Sequence, residues 1–198
     1  MTTVRTAATA TNSPSVSERS ISTRLSEGGR GKPGRSGTRA NLSDALLNGF
    51  RRPGAVLTAA VMERVTLRGA DLRGAEIAMG ALAFADLREA DLTHADLRGI
   101  DLSRALADRG NLKGARISPV ENVAGSGQTW VSNLERAKLR GVDLSGADLR
   151  KVSAVGADFR EANLNGADLR EADLRDAFLD DADLTDARMD GATRDTTA

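Results

Sequence analysis

The chain has 198 residues with 28 basic and 28 acidic side chains, contains no cysteine, and has a single histidine. Without cysteine there is no disulfide framework and no thiolate chemistry, and one histidine cannot build a usual transition-metal site or a Cys–His pair. The N-terminus lacks the apolar core of a signal peptide, and no stretch approaches the ~20 apolar residues of a membrane span. The sequence therefore predicts a cytoplasmic protein without a membrane segment.

Residues 1–40 form the first predicted segment, a disordered basic tail. They hold seven basic and two acidic residues, are rich in Ser, Thr, Gly and Arg, and have no aromatic side chain. Such a composition buries too little apolar surface to offset the entropy of ordering. The run Gly28–Gly34 has the wrong spacing for a phosphate-binding loop, with Pro33 where Ser or Thr belongs. Contact with nucleic acid through this tail would be non-specific, so no sequence-specific nucleic-acid binding is expected.

Residues 41–54 are predicted to cap the rest of the chain. Ser43 can N-cap a short helix that places Leu46, Leu47 and Phe50 on one face, and Pro53 and Gly54 then end it. Leu42 and Leu47 also agree with the five-residue repeat described next, so a degenerate first coil is the alternative. The helix is the favoured interpretation.

An apolar residue recurs at every fifth position over residues 55–119 and again over 132–192. Of 25 such centres 18 are Leu, and 18 of the residues two places earlier are Ala. Successive centres would lie about 140° apart on an α-helix, and an odd step alternates faces on a flat strand, so neither regular structure gathers the leucines. A chain that turns one corner per repeat places all of them in one interior. The pattern therefore predicts a β-solenoid.

The repeat resembles the A(D/N)LXX motif of the pentapeptide-repeat family. Ala70-Asp71-Leu72 and Ala167-Asp168-Leu169 are clear examples, and the resemblance covers roughly 135 residues. It implies an all-β, right-handed, quadrilateral β-helix with four repeats per coil and about six coils, stabilised by stacking of neighbours. Leu72, Leu92 and Leu112 should then form one column, as should Leu149, Leu169 and Met189.

Residues 120–131 interrupt the repeat and are predicted to form a loop. Pro119 and Gly125-Ser126-Gly127 are typical of a segment that leaves the wall and rejoins it. The loop carries the only tryptophan, Trp130, after Gln128 and Thr129. Trp130 either folds back as a lid over the coil or anchors a partner protein.

Two further surfaces deviate from the repeat and are candidate partner sites. The C-terminal repeats concentrate acidic residues with few bases between them, namely Asp176, Asp180, Asp181, Asp183, Asp186 and Asp190. The other surface is apolar and is predicted to lie outside at Ala78, Met79, Ala81, Ala83 and Phe84, with Val56, Ala59 and Val61 one coil below. Either the cap segment covers it through Leu46, Leu47 and Phe50, or it is a dimer or partner interface.

The chain is predicted to be a non-enzymatic protein-interaction module without cofactor or metal. His94 lies at an outward corner, and Ser126 has no G-x-S-x-G spacing. Many of the aspartates before a leucine have an arginine two residues later, as in Asp71/Arg73, and such pairs form a surface ladder. The resemblance implies a second hypothesis, a DNA mimic that binds DNA gyrase or another type II topoisomerase and confers resistance to an antibiotic or toxin. A structural module without a ligand is the third. Residues 193–198 are a short tail without apolar residues suited to dimerisation.

Overall fold

The computed structural model describes residues 40–121, 125 and 127–195. The predicted tail therefore lies outside the described residues except for Ala40. Except across the insertion after residue 120, each bridging residue pairs in parallel with the residue twenty positions later. Asp71 bridges Asp91, and Asp91 in turn bridges Asn111. Four pentapeptides thus complete one coil.

Seven coils stack into a rod. Their bounds are 41–60, 61–80, 81–100, 101–120, 133–152, 153–172 and 173–192. Each coil crosses four sides, and each crossing pairs through a single bridging residue; in coil 1 these are Asn41, Leu46, Arg51 and Val56, which define the first to fourth sides. At ~4.8 Å per level the rod is about 30 Å long. The sequence predicts about six coils, and the additional one comes from residues 41–60.

The interior consists of leucine columns separated by small residues. Both predicted columns are confirmed, since Leu72 donates its amide to Asp91 O and Leu169 donates its amide to Arg188 O, which sets each centre against the next coil. Leu72 and Leu169 are fully buried, and Leu92 is 2% exposed. The position two residues before most centres holds a buried alanine, although Val65, Ile100 and Val142 show that a larger apolar side chain also fits there.

Corners are tight turns that follow every leucine. Except after Ile117, the amide three residues after the centre donates to the carbonyl of the centre, as from Ala75 to Leu72 at 3.0 Å. Apart from Pro119, where the chain leaves the wall, the second turn residue has a positive φ at every corner. Glycine fills many of these positions, and none holds a β-branched residue, which tolerates this conformation poorly.

Residues 41–54 form part of the first coil, so the predicted capping helix is wrong. Leu47 donates its amide to Thr66 O at 2.7 Å, and Asp71 donates to Phe50 O at 2.8 Å. These parallel bonds to coil 2 satisfy the backbone more fully than a helix of two turns, most of whose end groups would lack partners. Leu47 and Phe50 point into the interior, where they are 4% and 5% exposed.

The class of fold is an all-β solenoid with four sides. No α-helix occurs in residues 40–121 or 127–195, and within the described part of the chain there is accordingly no helix of a length and hydropathy suited to crossing a membrane. The right-handed winding implied by the resemblance stays a prediction.

Candidate protein-interaction surface

A hairpin leaves the rod between coils 4 and 5. Bridges join residues 32 apart across it, as from Asp101 to Asn133, instead of 20, so the insertion adds twelve residues. Val120 and Trp130 pair as antiparallel neighbours, each donating its amide to the other's carbonyl at 3.0 and 2.9 Å. The hairpin therefore has a defined base. Gln128 and Thr129, the other predicted loop residues, are exposed beside it.

Two buried contacts fasten this base to the wall. The hydroxyl of Ser132, a residue with no exposed surface, accepts the Gly99 amide at 2.8 Å and donates to Ser118 O at 3.3 Å. Gly99 has a φ of +64°, and a Cβ on it would lie 3.1 Å from Trp130 Cβ. The close approach requires glycine. Trp130 thus lies back against the wall, yet it remains 45% exposed.

The apolar patch on the first side is present but narrower than the sequence predicts. Ala78 and Ala83, expected outside, are each only 9% exposed, whereas Phe84 is 52% exposed. Met79 and Ala81 are half-buried. Ala78 and Ala83 are buried because each occupies the first turn position, where a side chain of one carbon does not reach beyond its neighbours.

The cap segment does not cover this patch, so that predicted explanation is wrong. Leu47 and Phe50 belong to the interior of coil 1, and Leu46 points outward on the second side. Val56, also exposed, lies on the fourth side and bridges Glu76. Phe84 and Met79 thus remain accessible on the rod.

The fold brings Met79 and Trp130 to one corner, although 50 residues separate them. Met79 donates its amide to Arg98 O at 2.8 Å, which places Gly99 directly above Met79 in the next coil. Trp130 packs on Gly99, and Val131, 52% exposed, then leads into the first side of coil 5. We call this set the apolar surface; its members are Met79, Ala81, Phe84, Trp130 and Val131.

Two arginines continue the column of Phe84 upward. The guanidinium carbon of Arg104 lies 5.5 Å from the Phe84 ring centroid, a cation–π distance. Arg104 donates its amide to Glu135 O, which aligns Arg136 with it one coil higher. Sequence reasoning missed both arginines and Val131. The place of Arg104 above Phe84 follows from twenty residues per coil, whereas the neighbours of Arg136 and Val131 depend on the length of the insertion.

The predicted aspartate–arginine ladder is confirmed. Seven pairs are bidentate: Asp71/Arg73, Asp86/Arg88, Asp96/Arg98, Asp148/Arg150, Asp158/Arg160, Asp168/Arg170 and Asp173/Arg175. The Arg160 hydrogen bond, above all, holds the pKa of Asp158 below its ordinary value. Asp158 is only 3% exposed, and Arg160 also lies 5.6 Å from the exposed Phe178 ring. These contacts are structural.

The six C-terminal aspartates do not form a face. Asp176 lies on the first side of coil 7, Asp180 and Asp181 on the second, Asp183 and Asp186 on the third, and Asp190 on the fourth. They therefore encircle the last coil. They lie at the opposite end of the rod from Met79 and Phe84, so the predicted partner residues divide into two separate sites.

Nothing in the described chain assembles a catalytic or metal site. A groove beside the hairpin is lined by five cations, yet each lies within 4 Å of a carboxylate, as Lys151 does at 3.1 Å from Glu121. His94 packs against the next coil, where a Cβ on Gly114 would lie 2.5 Å from its Nδ1. No cluster of three potential metal ligands occurs among the described residues, and Ser126 lies outside them.

The coils and their repeat define a pentapeptide solenoid, and the chain belongs to the pentapeptide repeat family. Pentapeptide repeats match in eight copies, over residues 38–76, 85–118, 132–166 and 162–193. No curated protein sequence matches the chain.

Several solved structures resemble the chain. One is trypsin-treated QnrB1, a plasmid-mediated fluoroquinolone resistance protein, with 19% identity, a TM-score of 0.45 and coverage of 80% of this chain and 84% of that one. A pentapeptide repeat protein of the Arabidopsis thaliana thylakoid lumen has 24% identity, a TM-score of 0.33 and coverage of 66% of both chains. HetL from Nostoc sp., involved in heterocyst differentiation regulation, has 25% identity, a TM-score of 0.25 and coverage of 87% and 90%.

The stretches that the family repeat does not match coincide with the apolar surface. Within the solenoid these are residues 77–84 and 119–131. The first contains Met79, Ala81 and Phe84, and the second contains Trp130 and Val131. Two separate departures from the repeat thus meet on one part of the rod.

Proposed function

We propose that this protein is a non-enzymatic interaction module that binds a partner protein through the apolar surface. The observation that carries the proposal is the meeting of the two unmatched stretches at one corner of the rod. A repeat protein needs only its periodic residues to fold. Residues that leave the pattern and expose aromatic side chains together are typical of binding hot spots.

The physical state of this surface supports the proposal. Phe84 and Trp130 keep about half of their surface exposed; the Arg104 guanidinium lies over the Phe84 ring, and the Trp130 Cβ lies against Gly99. Aromatic side chains have few rotatable bonds, so they lose little conformational entropy when a partner binds. The surface spans three levels of one side, about 10 Å by 16 Å, which corresponds to the central hot spot of a larger interface and not to a whole one.

The test compares two pairs of variants in a pull-down from host lysate. We expect Phe84→Ser and Trp130→Ala to lose the same protein that the wild type retains. The matched controls Leu46→Ser and Phe178→Ser remove exposed apolar side chains elsewhere on the rod and should retain it. Loss of different proteins by the two test variants, or equal loss by the controls, contradicts the proposal. No retained protein at all favours a structural module without a ligand.

A DNA-mimicking gyrase or topoisomerase inhibitor is the second candidate. The six aspartates of coil 7 favour it, because they form the most acidic surface of the described chain. B-DNA, however, carries one charge per ~1.7 Å along its whole length, whereas these carboxylates form a ring at one end. Inhibition of gyrase supercoiling that charge reversal at Asp180, Asp181 and Asp183 relieves would support this candidate. An inert protein at tens of micromolar, about the non-specific DNA range, would exclude it.

A further inference from the structure

Among the described residues, nothing covers three sides of the C-terminal end of the rod. The interior residues Leu179, Leu184 and Met189 are half-buried, whereas their counterparts one coil earlier, Phe159, Leu164 and Leu169, have no exposed surface. Only on the first side does the chain continue, where Leu174 donates its amide to Thr193 O at 2.8 Å. The amides of Leu179, Leu184 and Met189 have no acceptor among the described residues.

The apolar interior is better covered at the N-terminal end, although the amides of Leu46, Arg51 and Val56 there also have no acceptor among the described residues. Leu47 and Phe50 of coil 1 are 4% and 5% exposed, so the apolar interior ends there under cover. Open strand edges over an apolar interior pair readily with another extended segment. Both ends of the rod have open strand edges, and only at the C-terminal end do these edges surround three half-buried interior residues, Leu179, Leu184 and Met189.

The acidic residues around the open end favour a segment of positive charge. None of the six aspartates that encircle coil 7 has an ion-pair partner among the described residues, in contrast to the seven bidentate pairs along the rod. Coil 7 contains seven acidic and two basic residues. Two such ends facing each other would repel, which argues against end-to-end contact between copies. A basic extended segment is the complementary occupant.

We infer that the open end is an interaction surface for the protein's own N-terminal segment, residues 1–39. This segment holds seven basic and two acidic residues and includes Val16, Ile21 and Leu25 as apolar side chains. Thirty-nine residues can extend to about 130 Å, several times the length of the rod, so the segment of the same chain reaches the end. A tethered segment has an effective concentration of about 1 mM, which exceeds that of any second copy in dilute solution.

Carbodiimide cross-linking tests this directly, because residues 1–39 contain a single lysine, Lys32. The full-length protein, mixed with an equal amount labelled with nitrogen-15, is treated at about 5 µM, far below the effective concentration of a tethered segment. We expect amide bonds between Lys32 Nζ and the ring aspartates, within single isotopic copies. About 0.5 M NaCl should suppress them, since it screens exposed charges.

Matched variants separate specific docking from chance encounter. Asp180→Asn/Asp181→Asn/Asp183→Asn should lower the yield of Lys32 links to coil 7 at least about fivefold, in line with the loss of charge contacts. Asp101→Asn/Asp143→Asn, which alters unpaired aspartates in the middle of the rod, should leave it unchanged. Lys32 links spread over all exposed carboxylates, links between isotopic copies, or no links to coil 7 would each overturn the inference.

Discussion

Trp130 packs directly on Gly99, with its Cβ 3.1 Å from the place where a Gly99 side chain would begin. Val120 Cγ2 lies 3.2 Å from the same point. Two separate features therefore require glycine at position 99, the positive φ and the close approach of the hairpin. A glycine elsewhere on the rod that has a positive φ but no close neighbour serves as the control.

Gly99→Ala is expected to destabilise the protein more than Gly146→Ala. Both glycines have a φ of +64°, but nothing lies within 4 Å of a Cβ on Gly146. The shared backbone strain costs about 1–2 kcal/mol, and crowding at Gly99 should add about 1–3 kcal/mol or displace the hairpin. Urea unfolding measures the difference, and a red shift of the single tryptophan's emission reports displacement. Equal effects of the two substitutions would mean that the hairpin does not pack on the wall.

Leu92→Asp is expected to abolish the folded state. Leu92 is 2% exposed at the centre of its column, and a carboxylate there has no partner and a desolvation penalty of several kcal/mol. Leu106→Asp is the control, because Leu106 bridges neighbouring coils from the outward position and is half-buried. Circular dichroism and thermal unfolding should show a folded Leu106→Asp protein and an unfolded Leu92→Asp protein. A cooperative transition in the latter would contradict the assigned register.

The sequence predicted the coils well because their determinants are local and periodic. The five-residue spacing alone places Leu72, Leu92 and Leu112 in the interior, and twenty residues per coil puts them in one column. The sequence of residues 41–50 is compatible with two structures. Leu46, Leu47 and Phe50 would share one face of a helix, but Leu47 also lies at a centre of the five-residue repeat. The long-range hydrogen bond from Leu47 to Thr66 decides between them, and local pattern does not contain it.

The candidate site was predicted only in parts. Met79, Phe84 and Trp130 were identified separately as departures from the repeat. Their proximity depends on which corner the insertion leaves, and Pro119 alone does not specify how many residues the hairpin adds before Asn133 rejoins the first side. The six aspartates are close in sequence but separated in the fold, because fifteen consecutive positions extend around nearly a whole coil.

Arg160→Gln is expected to weaken the protein at neutral pH more than Arg175→Gln. The Arg160 hydrogen bond lowers the pKa of Asp158, so this carboxylate contributes stability above its unfolded-state pKa near about 3.9 and loses it as the pH falls below that value. Without Arg160 the buried Asp158 lacks its main partner, at a cost of about 1–3 kcal/mol. Its pKa should rise, so the destabilisation is largest at neutral pH and shrinks as the pH falls and Asp158 becomes protonated.

The Arg175 control separates burial from simple loss of charge. Asp173 and Arg175 form a bidentate pair of similar length, 2.6 Å between Nη2 and Oδ2, but both side chains are more exposed than those of Asp158 and Arg160. Exposed pairs contribute little. Thermal unfolding between pH 3 and neutral pH, near the range over which aspartates titrate, measures both variants. Superimposable profiles would indicate that burial of Asp158 does not couple to its ion pair.

Phe50 provides the last prediction, because it occupies the interior position that Ala70 holds one coil later. Asp71 donates its amide to Phe50 O, which aligns the two residues, and both are buried. The neighbouring centre in coil 1 is Arg52, which is exposed instead of filling the interior. The phenyl ring therefore fills space that a leucine fills in every later coil on this side.

Phe50→Ala should open the first coil, and Ala70→Phe should overpack the second. Loss of the buried ring removes about 3–5 kcal/mol of local stability, so hydrogen exchange should accelerate at the amides of Leu47 and Ala55 while that of Leu92 stays protected. In coil 2, Leu72 already fills the interior volume that the ring of Phe50 fills in coil 1. Ala70→Phe should therefore lower global stability by about 1–3 kcal/mol. Phe50→Leu is the control and should behave close to the wild type. Uniform exchange along the rod in Phe50→Ala would show that coil 1 does not act as a separate cap.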